Sequence, residues 1–325
     1  MVPVALLLVS CGASNTGDMC PCPADDPLAS RQISRDGTPW GPFYVGDRSL
    51  GNGCDGDLSL LGASCESEML LHDDITMFGS GLKDTPGSEK TWWCRWWDRS
   101  GRRNTITTRA ICLENQLITA EPPGTEECEC SKSQPLGERV VWTPHYRILP
   151  VHASDELSAS CGDDGFLISG GCAFSYPNKL STNHKTMSRS GFASGNPTLW
   201  NCGWHNPTDT EELMIATAIC LQPPDYGSDP AAGRIRHVTE SKLLSGRHSG
   251  QFTASCDPEE ELIAGSCMID SNDPLSHRIT MYYHGFSGSS PDDRATSNTW
   301  RCAWNNPTNL DVTATVAAVC VTPLQ

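Results

Sequence analysis

Twelve of the 17 cysteines divide into three sets that share one spacing. Successive cysteines are 11, 29 and 18 residues apart in the first set, 11, 30 and 18 in the second, and 11, 35 and 18 in the third. The sets are Cys54, Cys65, Cys94 and Cys112; Cys161, Cys172, Cys202 and Cys220; and Cys256, Cys267, Cys302 and Cys320. A spacing that recurs three times predicts an internal repeat, in which only the stretch between the second and third cysteines varies in length.

Residues around these cysteines keep the same register. In each repeat a Thr-Met pair is followed by Gly-Leu or Gly-Phe, W-x-C-x-W surrounds the third cysteine, and an Ala-containing stretch precedes the fourth. Helix-forming residues never accumulate in a long amphipathic run, which favours many short strands joined by turns. We therefore predict an all-β fold of three tandem, small, disulfide-stapled antiparallel repeats of the β-sandwich type.

Two stretches rich in Pro, Gly and acidic residues separate the repeats, at 121–135 and 223–233. They leave three β repeats, at 36–120, 136–222 and 234–325, after a flexible acidic N-terminal segment at 12–35. Each repeat is long enough to be a domain of its own. We therefore expect three separate beads rather than one closed solenoid.

The chain begins with a short apolar run that ends in Leu8-Val9-Ser10-Cys11. This run resembles the lipobox of bacterial lipoproteins, although no Lys or Arg precedes it as in an ordinary signal peptide. The high cysteine content also indicates an oxidising compartment. The resemblance implies a signal peptide at 1–11, lipidation at Cys11 and, because Gly12 replaces the Asp typical of inner-membrane retention, an outer membrane lipoprotein on the periplasmic or cell-surface side.

The W-x-C-x-W stretches are predicted to pack in the core. Because side chains on a strand alternate between its faces, the two rings and the cysteine share one face. Half-cystines are normally buried, so this face is the inner one, and tryptophan packed on a disulfide fills a small β-sandwich core. The tryptophans concerned are Trp92, Trp96, Trp200, Trp204, Trp300 and Trp304.

The first repeat carries two further tryptophans, which alternation places on the opposite face of the strand. Trp93, Arg95 and Trp97 correspond to Asn201, Gly203 and His205 in the second repeat, and to Arg301, Ala303 and Asn305 in the third. Aromatic rings at a spacing of two residues can stack on sugar rings or on the apolar surface of a partner. They are a candidate ligand-binding surface; the alternative is that a linker or a neighbouring repeat covers them.

The stretch "FLISGGC", with W-x-C-x-W and "ATAIC" later in the same repeat, resembles a Cys-rich repeat common in exported bacterial proteins of unassigned role. In simpler members the second and third cysteines are absent together while the first and fourth remain, which implies first-to-fourth and second-to-third disulfides. The implied pairs are Cys54–Cys112, Cys65–Cys94, Cys161–Cys220, Cys172–Cys202, Cys256–Cys320 and Cys267–Cys302. Spacing alone leaves three connectivities open in each repeat.

No cofactor or metal is expected. The C-x-C pairs, Cys20/Cys22 and Cys128/Cys130, could hold zinc or copper as thiolates, but surface segments outside the cytosol favour disulfides. Acidic clusters follow the first cysteine of each repeat, and such carboxylates can bind calcium. Their spacing differs between repeats, and Asp-Gly is common in turns, so turn chemistry is the preferred interpretation.

Composition and motifs favour binding over catalysis. A net charge of −16 repels phosphate backbones and excludes nucleic acid as an expected partner. Nucleophile-elbow, zinc-protease and P-loop motifs are all absent from the sequence. The predicted function is non-catalytic binding or adhesion at the bacterial envelope, to a glycan or an envelope protein, with the membrane reached only through the lipid anchor. The alternatives are a structural spacer or envelope assembly protein and, less favoured, an enzyme accessory or weak hydrolase.

Overall fold

The structure is a computed structural model that describes residues 33–43, 46–54, 58–67, 75–82, 91–99, 104–113, 139–162, 165–175, 185–194, 196–222, 235–288 and 297–322. The proposed signal peptide, Cys11, both C-x-C pairs and the two linkers lie outside these residues. The predicted all-β fold class is confirmed, because the described chain forms antiparallel sheets of strands.

The described residues form eighteen strands, distributed equally over three parts of the chain that we call segments 1, 2 and 3. Segment 1 contains β1 (Ile33–Phe43), β2 (Gly46–Gly53), β3 (Ser59–Ser67), β4 (Ile75–Leu82), β5 (Thr91–Asp98) and β6 (Asn104–Leu113). Segment 2 contains β7 (Val140–Leu149), β8 (Ser154–Ser160), β9 (Phe166–Phe174), β10 (Thr186–Ala193), β11 (Asn196–His205) and β12 (Glu212–Leu221). Segment 3 contains β13 (Ile235–Leu244), β14 (Ser249–Ser255), β15 (Glu261–Asp270), β16 (Thr280–Phe286), β17 (Thr299–Asn305) and β18 (Val312–Val321).

Within each segment the strands form two three-stranded half-sheets. One half-sheet has the order first–sixth–third strand, and the other has the order second–fifth–fourth. Two disulfides connect the half-sheets of each segment. The six disulfides of the described residues are the pairs that the family resemblance implied: Cys54–Cys112, Cys65–Cys94, Cys161–Cys220, Cys172–Cys202, Cys256–Cys320 and Cys267–Cys302.

The half-sheets of different segments join, so the expectation of three separate beads is wrong. The third strand of every segment pairs with the fourth strand of another: β9 with β4, β15 with β10, and β3 with β16. Three six-stranded sheets result, and each takes half of its strands from one segment and half from the next. Because the last of these pairings joins segment 1 to segment 3, the arrangement closes into a three-sided prism.

One continuous hydrophobic core fills the prism and contains residues of all three segments. The six W-x-C-x-W tryptophans are at most 1% exposed, which confirms that they belong to the core. Hydrogen bonds also cross the core between segments. Trp304 Nε1 donates to the carbonyl oxygen of Ser188 at 3.1 Å, and Ser169 Oγ donates to the carbonyl oxygen of Leu61. The segments therefore depend on one another for burial of their inner faces.

The repeated glycine before Leu or Phe lies at the junctions between segments. Each junction contains one registered residue pair, such as Ser190 with Cys267, so the two strands approach closely there and then diverge. A Cβ on Gly191 would lie 2.5 Å from the Cβ of Ser266 and 3.0 Å from the backbone nitrogen of Cys267. Glycine at this position is therefore required for the sheet to continue from one segment to the next.

Replacing Gly191 by Val should destabilise the protein by about 2 kcal/mol or more, because the added side chain meets backbone atoms of the neighbouring segment. Chemical unfolding of the oxidised protein measures this loss. Ala193→Val, at the end of the same strand, is the matched control and should cost less. Equal losses in the two variants would show that the junction does not require glycine.

A histidine lies in the core beside another of the junctions, where β16 pairs with β3. His284 is 1% exposed, its Nδ1 lies 3.5 Å from Ser80 Oγ, and its ring packs edge-on against Trp300. Burial lowers the pKa of His284 to about 4. The corresponding positions of segments 1 and 2 are Ser80 and Ser190, each of which also pairs with a buried cysteine of the next segment.

His284 should make the protein less stable in acid. In the folded protein the pKa of His284 is about 4, which is below the usual value of 6.5. The contribution of the neutral histidine to the free energy of unfolding is therefore fully present above pH 6.5. That contribution is lost as the pH falls towards 4, by about 3 kcal/mol in total. His284→Ser introduces the residue of the other two segments and should flatten the pH dependence of the unfolding free energy between pH 6.5 and 4. Parallel pH profiles for the variant and the wild type would refute this assignment.

Candidate functional site

Each segment presents the outer side of its second–fifth–fourth half-sheet away from the core. We call these surfaces the segment-1, segment-2 and segment-3 faces. Side chains on a strand alternate between the two sides of the sheet. On the fifth strand of each segment the two tryptophans and the cysteine point into the core, so the residue that follows each of them lies on the face. They are Trp93, Arg95 and Trp97 in β5; Asn201, Gly203 and His205 in β11; and Arg301, Ala303 and Asn305 in β17.

The segment-1 face contains the candidate residues named from the sequence. Trp93 and Trp97 are half-buried, and Arg95 is only 7% exposed. Trp93 lies over Gly51, whose added Cβ would be 2.8 Å from the indole, and Trp97 packs against the core. The three residues do lie on the outer side of the strand, but they offer less surface to a ligand than fully exposed rings would. Their role in binding stays a prediction.

The segment-3 face also combines an aromatic ring with an arginine. Arg301 lies over the Tyr283 ring, with its guanidinium carbon 3.9 Å from the ring centroid. This is the geometry of a cation–π contact. The arginine therefore packs along the surface of the sheet, in contact with the ring of its own face.

The segment-2 face is a polar cluster built around one buried arginine. Arg189, on β10, is opposite Gly203 of β11, and a Cβ at Gly203 would lie 3.1 Å from the Arg189 Cδ. The side chain of Arg189 is 6% exposed and forms an ion pair with Glu156 of β8. The other oxygen of Glu156 accepts a hydrogen bond from Asn201 Nδ2 at 3.1 Å, and the same amide nitrogen donates to Ser158 Oγ at 3.3 Å.

A short stretch of segment 3 covers part of this face. It is a 3₁₀ helix, Pro274–Arg278, which Asp273 caps by accepting a hydrogen bond from the backbone nitrogen of Leu275 at 2.8 Å. Arg189 donates to Ser276 Oγ at 3.1 Å and to the carbonyl oxygen of Ser271. The cluster therefore combines the half-sheet of segment 2 with a turn of segment 3, and it forms only when the two are joined.

Two histidines border the cluster, and the pKa of each is lowered. Burial lowers the pKa of His277 to about 4, with a further lowering from the positive charge of Arg189. His277 Nε2 lies 3.5 Å from Glu156 Oε1. Burial also lowers the pKa of His205, and the charge of Arg278 adds to this effect. His205 Nδ1 lies 3.0 Å from Ser154 Oγ, which fixes the orientation of the imidazole ring.

The rim of the segment-2 face is open to solvent. The Glu156 side chain is 34% exposed, and Leu275 is 42% exposed. Asn201 and His205 are half-buried, and Arg278 is exposed. The rim therefore presents hydrogen-bonding atoms of Glu156, Asn201 and His205 that are partly accessible to solvent. The apolar side chain of Leu275 lies next to them.

Sequence reasoning missed this cluster. Asn201 and His205 were recognised only as the counterparts of Trp93 and Trp97, and Glu156, Arg189 and His277 were not identified. The sequence does contain one signal for the cluster: the arginine is on the fifth strand and the glycine on the fourth in segment 1, and the two residue types are interchanged in segment 2. Arg95 is opposite Gly79 in segment 1, whereas Gly203 is opposite Arg189 in segment 2.

The described residues offer no usable metal site. Their one group with suitable spacing is Cys256, Glu260 and Cys320, and its two sulfurs form a disulfide. Asp257 and Glu260 of the third acidic cluster bind Arg236, at 2.7 Å and 2.6 Å. The other two predicted clusters, at 55–57 and 163–164, lie outside the described residues.

No family model matches the chain, and no curated protein matches it. The six disulfides are consistent with an oxidising, extracytoplasmic compartment. Within the part of the chain that the structure describes, no helix has both the length and the apolar character needed to cross a membrane.

Replacing Glu156 by Gln should destabilise the folded protein by about 2 kcal/mol, because Arg189 then loses the carboxylate that compensates its buried charge. Glu156→Gln combined with Arg189→Met should recover much of this loss, since the buried charge is removed as well. Chemical unfolding of the wild type, the two single variants and the double variant gives the coupling energy. A coupling energy near zero would contradict a structural role for this ion pair.

Proposed function

We propose that the protein is a non-catalytic binding protein of the bacterial envelope that recognises a glycan through the outer faces of its prism. One observation carries the proposal: the three segments share strand order and disulfides, while their outer faces carry different side chains. Equivalent positions hold Trp93, Asn201 and Arg301. A rigid framework with variable surface residues suits recognition, because functional side chains need a scaffold that holds them in place.

The character of the described surface supports a glycan in preference to a protein partner. Large exposed hydrophobic residues are few in the described parts of the chain: Tyr146, Ile148, Val151, Leu243 and Leu275. The segment-2 face is instead rich in carboxylate, amide, hydroxyl and imidazole groups. Polar groups arranged around a small apolar contact are typical of small-ligand sites, whereas stable protein interfaces have a larger apolar centre.

The location at the envelope is part of the proposal. Oxidised cysteines support export, and the lipobox-like sequence ending at Cys11 supports a lipid anchor. With Gly12 after the cysteine, the outer membrane is the proposed site, on its periplasmic or cell-surface side. The anchor would leave the prism in the aqueous phase, where its outer faces meet envelope polymers.

A binding screen tests the proposed function. The oxidised chain with Cys11→Ser, which removes the acylation site, is screened against a glycan array and isolated envelope polysaccharides. We expect binding that is lost either in Trp93→Ala/Trp97→Ala or in Asn201→Ala/His205→Ala, depending on the face used. The absence of binding to every glycan and polymer would overturn the proposal and favour the structural alternative, a spacer or envelope assembly protein.

A further inference from the structure

We infer that the segment-2 face and the 3₁₀ helix of segment 3 together form a binding site for a neutral saccharide residue. The inference rests on the proposed function and makes it specific, since it assigns one face, one set of residues and one ligand class. It follows from three features of the cluster: charged groups of both signs, fixed hydrogen-bonding atoms and an adjoining apolar side chain.

The cluster contains charged groups of both signs, and several of them are paired with one another, which favours a neutral ligand. Arg189 pairs with Glu156, and Arg147 pairs with Asp155 at 3.2 Å. Charged groups of both signs lie beside these pairs, among them the carboxylate of Asp273 at the start of the 3₁₀ helix. Asp270 acts on Arg189 as a nearby negative charge, and Arg278 acts on His205 as a positive one. An ionic ligand would therefore meet groups that repel it as well as groups that attract it, and it would still lose its hydration.

The rim offers both acceptors and donors, as hydroxyl groups require. Glu156 Oε2 accepts one hydrogen bond from Asn201, and a carboxylate oxygen can accept a second. His205 Nε2 remains for a ligand, because Nδ1 faces Ser154. Arg278 is exposed and can donate from its guanidinium group. Each saccharide hydroxyl both donates and accepts, so a mixed set of this kind matches it better than an array of one type.

These groups are fixed before a ligand arrives. The Glu156 carboxylate is held by Arg189 from the sheet and by Asn201 from the neighbouring strand. Arg189 is in turn anchored on segment 3 through Ser276. Preorganisation reduces the entropy lost on binding, which matters for a small ligand that can form few contacts.

Leu275 supplies the apolar part of the site. It is 42% exposed and lies on the 3₁₀ helix, whose next two residues, Ser276 and His277, contact Arg189 and Glu156. A pyranose ring has one side formed mainly by C–H groups, which loses water favourably when it packs on an aliphatic side chain. The arginines of the other two faces are placed differently: Arg95 lies beside Gly79, and Arg301 stacks on the ring of Tyr283.

Calorimetric and NMR titrations of the oxidised chain carrying Cys11→Ser test this inference. The probes are methyl glycosides of glucose, galactose and mannose together with N-acetylglucosamine, and the charged comparators are glucuronic acid and glucosamine. We expect at least one neutral sugar to bind, with shifts of the His205 ring signals. Asn201→Ala, His205→Asn and Leu275→Ser should each weaken that binding by about tenfold.

The controls separate loss of the site from loss of the fold. His205→Asn introduces the residue of segment 3 at the equivalent position, so it should keep the wild-type melting temperature. Asn305→Ala alters that same position on the segment-3 face and should leave the affinity unchanged. A change of affinity in Asn305→Ala equal to that in the segment-2 variants would overturn the assignment of the face.

Two further outcomes would overturn the inference while leaving the proposed function intact. Preferential binding of glucuronic acid or glucosamine would refute the neutral ligand class. Glycan binding that survives all three segment-2 variants but disappears in Trp93→Ala/Trp97→Ala would move the site to the segment-1 face. Only a failure of every glycan, in the array and in these titrations, would remove the proposed function as well.

Discussion

Strand pairing between segments is the constraint on which the rest of the structure depends. Each segment alone would have an unpaired edge on its third and fourth strands and an incompletely covered core. The cyclic pairing of β9 with β4, β15 with β10 and β3 with β16 removes both problems at once. The disulfides act inside segments, so they hold each pair of half-sheets together and leave the connection between segments to backbone hydrogen bonds and the shared core.

The sequence predicted the interior of each segment well. The alternation of Trp200, Cys202 and Trp204 places these side chains on one side of a strand whatever the neighbours are, and all three are buried. The six disulfides followed from the resemblance. The closed prism was not predicted, because the pairing between segments is reflected in the sequence only by a repeated glycine. Gly191, for example, contacts a residue more than 70 positions away.

The candidate site escaped prediction for a related reason. Its residues come from β8, β10, β11 and a turn of segment 3, so no local motif contains them. Arg189 and Glu156 are separated by 33 residues, and Arg189 and Ser276 by 87. The tryptophans of "WWCRWW", by contrast, are conspicuous in the sequence, yet the structure half-buries Trp93 and Trp97 and buries Arg95.

The cyclic arrangement of the three segments has a consequence for how the surface can diversify. Three identical chains in such a ring would carry every substitution three times, so an arginine that suits one face would be imposed on all. Covalent linkage removes that restriction. Position 203 is a glycine, which leaves room for the Arg189 side chain, whereas the equivalent positions 95 and 303 are an arginine and an alanine. One chain thus keeps the stability of a symmetric assembly and gains three surfaces that can change independently of one another.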